Sequence, residues 1–168
     1  MSPMIRAAVI RAATADDAGK LLALIRDLAA FEKAPPEVVK ATEADLRQHG
    51  LRPGAAFEAL IAEDAAGAPL GFALYFTNFS TWEGRTGIYL EDLFVVEAAR
   101  GTGLGRRLLA AVAGVAVARG GARLDLSVLH WNPARAFYER IGFADQAEWK
   151  PYRLSGRALA DLAAEAGA

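Results

Sequence analysis

The chain has 168 residues, of which 54% are hydrophobic and 23% are charged, and its formal net charge is −1. This size and composition are typical of one globular domain with a substantial core, so we expect residues 1–168 to form a single domain. The near-zero charge, spread without a basic cluster, argues against nucleic acid or an anionic membrane as a partner.

Metal and membrane sites are disfavoured on similar grounds. The sequence has no cysteine and only two histidines, His49 and His130, far apart in the chain, so we predict no metal site. No apolar run reaches the roughly 18 residues of a membrane span. Residues 1–6 lack the apolar core of a signal peptide, and we therefore expect a cytoplasmic protein.

Hydrophobic periodicity and capping residues predict alternating strands and helices. In chain order, the predicted elements of the first half are a strand at 7–11, a helix from Thr14 to before Pro35, a helix capped by Thr42 and Asp45 and ended by Gly50, and a hairpin of strands 57–63 and 70–79. Those of the second half are a strand at 88–96, a helix at 103–119, a strand at 124–128, a helix at 133–141 ended by Gly142, and final strands at Phe143 and 152–154.

A glycine-rich turn lies between the strand at 88–96 and the helix at 103–119, and it reads Arg-Gly-Thr-Gly-Leu-Gly over residues 100–105. Glycines let backbone N–H groups approach a ligand, and a helix N-terminus favours an anion, so this pattern indicates a phosphate site. Arg106 follows the last glycine, where a P-loop would need lysine, and the turn also departs from the dinucleotide fingerprint. An ordinary tight turn is the alternative.

Two segments carry a family resemblance. The first is Arg-x-x-Gly-x-Gly after a strand that contains Glu91 and Asp92, and it resembles the acetyl-CoA pyrophosphate loop of the GNAT N-acetyltransferases. The second runs from Asn132 through Ala-Phe-Tyr138 to Gly-Phe143, and it resembles a late segment of the same family. The resemblance implies an α/β (α+β) GNAT fold with a mixed sheet of about six to seven strands. Helices should cover both faces, and strands four and five should splay apart.

The same resemblance implies acetyl-CoA as the co-substrate. Pantetheine would pair with the backbone of strand four as an added strand would, and the glycine turn would hold the pyrophosphate. The implied cofactor-binding residues are Leu93, Phe94, Val95, Arg100, Gly101, Thr102, Gly103, Leu104, Gly105, Arg106, Asn132 and Arg140. For Arg100 and Arg106 the alternative is a solvated surface charge, and for Asn132 a helix cap ranks first.

Acetyl transfer to an amine needs a proton acceptor and a proton donor. An alkylamine has a pKa of about 10.4, so keeping it neutral at pH 7 costs roughly 4 kcal/mol, which makes a nearby base valuable. The resemblance implies Tyr138 as the general acid, and we predict Glu91 as the base, acting through a water. A core aromatic and a charge pair on a β-bulge are the respective alternatives.

Within the family, the chain resembles the spermidine/spermine and thialysine N-acetyltransferase-like branch. That likeness implies a small-molecule amine substrate, a homodimer, and four substrate-binding residues, namely Glu32, Trp82, Asp92 and Trp149. Ser80 replaces an acidic residue of the polyamine enzymes, so a zwitterionic amino acid, with Lys33 as carboxylate partner, is as plausible as a polyamine. A protein-amine acetyltransferase and a non-catalytic acyl-CoA-binding module are the alternative functions.

Overall fold

The computed structural model of the chain describes residues 8–167, so position 7 of the first predicted strand lies outside the described residues. The chain divides into two compact units after Ser127, called here the first and second units. Within residues 8–167, no helix has the length and hydropathy that crossing a membrane requires.

The first unit contains most of the regular structure. Its strands and helices are β1 (Val9–Ala12), α1 (Ala18–Phe31), α2 (Glu43–His49), β2 (Glu58–Glu63), β3 (Pro69–Ser80), β4 (Arg85–Val95), α3 (Leu104–Ala118) and β5 (Leu124–Leu126). The predicted cap of α2 is confirmed, since the Asp45 N–H donates to the Thr42 hydroxyl at 3.2 Å and the Thr42 N–H donates to the Asp45 carboxylate at 2.8 Å.

The five strands form one mixed sheet in the order β1-β2-β3-β4-β5. Neighbours are antiparallel except for β4 and β5, which run parallel and pair only from Ile88–Leu124 to Leu90–Leu126. β4 continues to Val95 beyond that pairing, so its last five residues present an edge that β5 does not cover. The pairing thus ends early at Leu90 and Leu126, while a splay of strands four and five stays a prediction.

Helices cover both faces of the sheet. On one face, α1 and α2 pack on a cluster that includes Ile61, Phe72, Leu74 and Phe94, and this is called here the α1 face. The opposite face packs against α3, whose buried side chains are Leu104, Leu108, Leu109, Val112 and Ala116. The predicted mixed sheet with helices on both faces is confirmed.

A β-bulge interrupts β4 at Glu91. Leu74 of β3 pairs with Asp92, whereas the next residue, Tyr75, pairs with Leu90, so Glu91 is the extra residue. Adjacent residues of β3 point to opposite faces, and cross-strand partners share a face. Leu90 therefore lies on the α3 side, and Asp92 lies on the α1 face.

The second unit contains α4 (Ala134–Ile141) and α5 (Gly156–Ala164). The strands predicted at Phe143 and at 152–154 are wrong, because the residues between α4 and α5 form no ladder with another strand in the described chain. Within residues 8–167 the sheet accordingly has five strands rather than six or seven. The sequence analysis also missed α5. The single domain stays a prediction.

An ion-pair network joins β1 to the start of α1 and to the end of β2. Arg11 donates two hydrogen bonds of 2.7 Å to the Asp17 carboxylate, whose residue is 5% exposed, and one of 2.9 Å to Glu63. Lys20 binds the other Glu63 oxygen at 2.6 Å. The hydrogen bonds from Arg11 hold the pKa of Asp17 well below its usual range.

We expect Asp17→Asn to lower the free energy of unfolding by about 2–3 kcal/mol at neutral pH, because it removes a buried charge-assisted pair. Since the folded-state pKa of Asp17 is depressed, this contribution is present above the ordinary carboxyl pKa and is lost as pH falls through the folded-state value. Urea unfolding measures it, with the exposed neighbour substitution Asp16→Asn as control. Equal effects of the two substitutions would contradict the assignment.

Candidate functional site

The glycine turn forms the N-terminal approach to α3. Gly101 and Gly103 have positive φ angles of 72° and 87°, and nothing lies within 4 Å of the position that a Cβ would take at either residue. The hydroxyl of Thr102 donates to the Ala99 carbonyl at 2.7 Å, which closes the turn on itself. Gly103 is the N-cap and has no side chain to bind the first amides of the helix, so these N–H groups are available to an anion.

The free edge of β4 leads into this turn. The Val96 N–H donates to Leu70 of β3 at 3.0 Å, and backbone groups alternate in direction along a strand. The amides and carbonyls of Leu93 and Val95 therefore point away from β3, towards the uncovered edge. Phe94 instead directs its backbone to β3, and its side chain lies in the core of the α1 face. Leu93 and Val95 thus offer backbone groups that an extended ligand amide can pair with.

Arg100 is exposed, and its side chain also contacts other groups of the protein. Its Nε donates to the Val95 carbonyl at 2.9 Å. Its guanidinium lies over the Phe31 ring, 4.4 Å from the centroid, and 5.5 Å from that of Phe94. The side chain therefore joins the end of β4 to the end of α1. Arg106, in the first turn of α3, is exposed.

Three carboxylates meet near the bulge. Glu91 is exposed at the bulge itself, Asp92 is half-buried on the α1 face, and Glu32 follows the last residue of α1. Burial is the largest cause that raises the pKa of Asp92, and the negative charges of Glu91 and Glu32 add to it. Together they raise the pKa of Asp92 to about 6. Burial also raises the pKa of Glu32. This arrangement gives one carboxylate that exchanges a proton near neutral pH, within a negative field that attracts a cation.

Residues of the second unit lie on and around α4. The Asn132 side-chain oxygen accepts a hydrogen bond of 2.9 Å from the Ala134 N–H, so Asn132 caps this helix, as the first-ranked prediction states. Tyr138 is buried, and its ring packs against Phe137 and Phe143 at centroid distances of 5.3 and 5.6 Å. Arg140 is exposed in the last turn of α4.

The two tryptophans predicted to bind substrate are solvent-facing. Trp82, at the tip of the β3–β4 hairpin, is 88% exposed, and Trp149 of the second unit is 68% exposed. The structure thus groups Glu32, Glu91 and Asp92 within the first unit, but places Trp82 in the turn at the end of the long hairpin. Among residues 8–167, no three histidine or carboxylate side chains are arranged to hold a metal ion.

Sequence analysis missed a pair of hydroxyls at the end of the β4–β5 ladder. The Tyr89 hydroxyl and the Ser127 hydroxyl lie 2.6 Å apart, and the Tyr89 ring stacks on Phe76 with a centroid distance of 5.1 Å. Tyr89 belongs to the strand that the motif identified, but its partner comes from the end of β5. Only the parallel pairing of β4 with β5 brings the two together.

Comparison with known proteins gives a consistent result. Residues 22–143 match the model of the acetyltransferase (GNAT) family. A thialysine N-epsilon-acetyltransferase of Bos taurus is 39% identical over 166 residues, which cover 92% of this chain and 96% of that protein. A spermidine/spermine N(1)-acetyltransferase-like protein 1 of Homo sapiens is 31% identical, over 93% of this chain and 24% of its own length.

Solved structures agree on the fold. An integron cassette protein from the mobile metagenome of V. cholerae superposes with a TM-score of 0.76 at 28% identity, covering 94% of this chain and 98% of that one.

We expect Glu32→Gln to lower the pKa of Asp92 below its value of about 6, because the substitution removes one of the negative charges that raise it. Carboxyl-carbon NMR titration measures this directly. Asp27→Asn, on the exposed surface of α1, is the control and should leave the pKa of Asp92 unchanged. A pKa that does not move in Glu32→Gln would show that burial and Glu91 alone are responsible.

Proposed function

Because the chain belongs to the GNAT family of acetyltransferases, we propose that it transfers an acetyl group from acetyl-CoA to the primary amine of a small molecule. The observation that carries this proposal is Asp92. Its pKa of about 6 is set among further carboxylates, on a strand whose free edge runs into an anion-binding turn. A proton acceptor, a cation-attracting field and a phosphate site thus occur together on β4 and the turn after it.

The residues present fit acetyl-CoA, which would supply the acetyl thioester. The uncapped amides at the start of α3 suit a pyrophosphate, and Gly101 and Gly103 leave open space for its approach. The outward-facing backbone groups of Leu93 and the Val95 N–H suit the pantetheine amides, whereas the Val95 carbonyl is bound by Arg100. Further proposed contacts are those implied by the resemblance, at Phe94, Arg100, Thr102, Leu104, Gly105, Arg106, Asn132 and Arg140.

Asp92 is well matched to accept the proton of the attacking amine. With a pKa of about 6 it is deprotonated roughly ten times more often than protonated at pH 7, yet it is a stronger base than an ordinary aspartate. Glu91 was predicted for this role, and its exposure at the bulge suits a base that acts through water. The raised pKa favours Asp92 as the base. In Glu32→Gln, the acid limb of the pH profile of kcat/KM should then move to lower pH together with the pKa of Asp92.

Tyr138 is proposed as the general acid that protonates the leaving thiolate. A thiol has a pKa near 8.5 and a phenol near 10, so this proton transfer is uphill by about 2 kcal/mol and requires a donor that is held close to the sulfur. The packing of Tyr138 between Phe137 and Phe143 restricts its ring in that way.

A lysine-like amino acid is the acceptor that the relatives favour, since several of them are named thialysine N-epsilon-acetyltransferases. Glu32, Asp92, Trp82 and Trp149 are proposed to bind the cationic amine through charge and aromatic faces. Lys33, two residues beyond the end of α1 and with a positive φ of 59°, is a candidate partner for a substrate carboxylate.

A homodimer is also proposed. The C-terminal segment exposes large apolar side chains, among them Trp149, Tyr152 at 93%, Leu159 and Leu162. α5 has nine residues and buries none of them, and so short a helix depends on packing for stability. A second copy of the chain would supply that packing.

We expect the protein to consume acetyl-CoA and release thiol with lysine, thialysine or a diamine. Tyr138→Phe should lower kcat by about a hundredfold at neutral pH while leaving CoA affinity unchanged, because only the proton donor is lost. Thiol release against a panel of amines and a lysine-containing peptide measures this, and light scattering on the same sample reports the dimer. Turnover with the peptide but with none of the small amines would favour a protein substrate. Binding of CoA without turnover of any amine would favour a non-catalytic module.

We expect Gly103→Ala to weaken CoA binding about tenfold, because a side chain strains the left-handed backbone that aims the α3 amides. Gly114→Ala, within α3 and with open space around its Cβ, is the matched control and should leave CoA affinity unchanged. Calorimetric titration with CoA measures both. Equal affinities for the two variants would place the phosphate site elsewhere.

A further inference from the structure

The hydroxyls of Tyr89 and Ser127 form a hydrogen-bonded pair, 2.6 Å apart, that no step of the proposed reaction uses. Tyr89 lies in β4, and Ser127 directly follows β5, so the pair stands where the parallel ladder between these strands ends. We propose that it is the subsite for the α-amino-acid end of a lysine-like acceptor, an inference that rests on the proposed acetyltransferase function.

The pair lies on the same face of the sheet as Asp92. Leu74 and Phe76 are two residues apart on β3 and share a face, and their cross-strand partners are Asp92 and Tyr89. Two residues of a strand span about 7 Å. The backbone positions of Asp92 and Tyr89 are therefore separated by about 7 Å along this face, which is comparable with the length of a lysine side chain.

The Tyr89 ring is held in place before any ligand arrives. It stacks on Phe76 with an interplanar angle of 24° and a centroid distance of 5.1 Å, and its hydroxyl is fixed by Ser127. A subsite that is ordered in advance loses little conformational entropy on binding, so its hydrogen bonds contribute more fully to affinity.

The chemistry of two hydroxyls suits a zwitterion better than a second cation. Each hydroxyl has one donor and two acceptor lone pairs, so a pair that shares one hydrogen keeps a donor for a carboxylate and acceptors for an ammonium group. The nearest carboxylate in register, Asp125 opposite Tyr89, is already neutralised by Arg123 at 2.8 Å and bound by Asn78 at 3.0 Å. Among the described residues, the carboxylate opposite Tyr89 is thus already paired, which disfavours the second cation of a polyamine there.

The test compares lysine with pentylamine, which has the reacting amine and a similar chain but no α-amino-acid group. Calorimetry without acetyl-CoA gives the Kd of each amine, and thiol release gives each KM. In Tyr89→Phe and Ser127→Ala we expect the Kd and KM of lysine to rise about tenfold, with those of pentylamine and acetyl-CoA unchanged. Thr77→Ala, which removes an exposed hydroxyl from the other face of β3, should change none of them.

Equal changes for lysine and pentylamine would overturn the proposal, because they would show a purely structural role. So would wild-type affinities that do not distinguish the two amines, or a loss of lysine affinity in Lys33→Ala but not in Tyr89→Phe. Selective lysine binding without turnover on any amine would retain the subsite and contradict the proposed acetyl transfer, so the two failures are distinguishable.

Discussion

The β-bulge at Glu91 determines on which face of the sheet the Asp92 carboxylate lies. Without it, Leu90 and Asp92 would lie on the same side of the sheet, and the carboxylate of Asp92 would point into the apolar layer under α3. The bulge lets β4 contribute Ile88 and Leu90 to one core and Phe94 to the other. It also brings Asp92 to the α1 face, close enough to Glu32 for their charges to interact.

The end of the β4–β5 pairing has an equally direct consequence. Because the ladder stops at Leu90 and Leu126, the backbone of Leu93 and Val95 is left open beside the turn that starts α3. Unpaired strand groups are ordinarily a liability, but next to uncapped helix amides they are the basis of the proposed acetyl-CoA site. Arg100 occupies one acceptor of that edge, the Val95 carbonyl, and so limits where such a ligand can pair.

The C-terminal end of α1 contributes both to the packing around Arg100 and to the negative charge around Asp92. Its C-terminal residues place Phe31 under the Arg100 guanidinium and Glu32 near Asp92. The N-terminus of the same helix is anchored by Arg11, Asp17 and Glu63, which join it to β1 and β2. The ion pairs at one end of α1 therefore contribute to the position of Glu32 at the other, because the helix between them is closely packed on the sheet.

Local patterns in the sequence were sufficient for the elements from β1 to α4, the cap of α2, the glycine turn and the family, because each depends on residues close together in the chain. The same patterns placed Glu91 and Asp92 on one strand. They did not determine that Asp92 has the raised pKa, since that follows from a bulge register with β3 and from burial beside α1. The Tyr89–Ser127 pair required the β4–β5 ladder, and the strands predicted after α4 failed because a strand exists only where a neighbouring strand pairs with it.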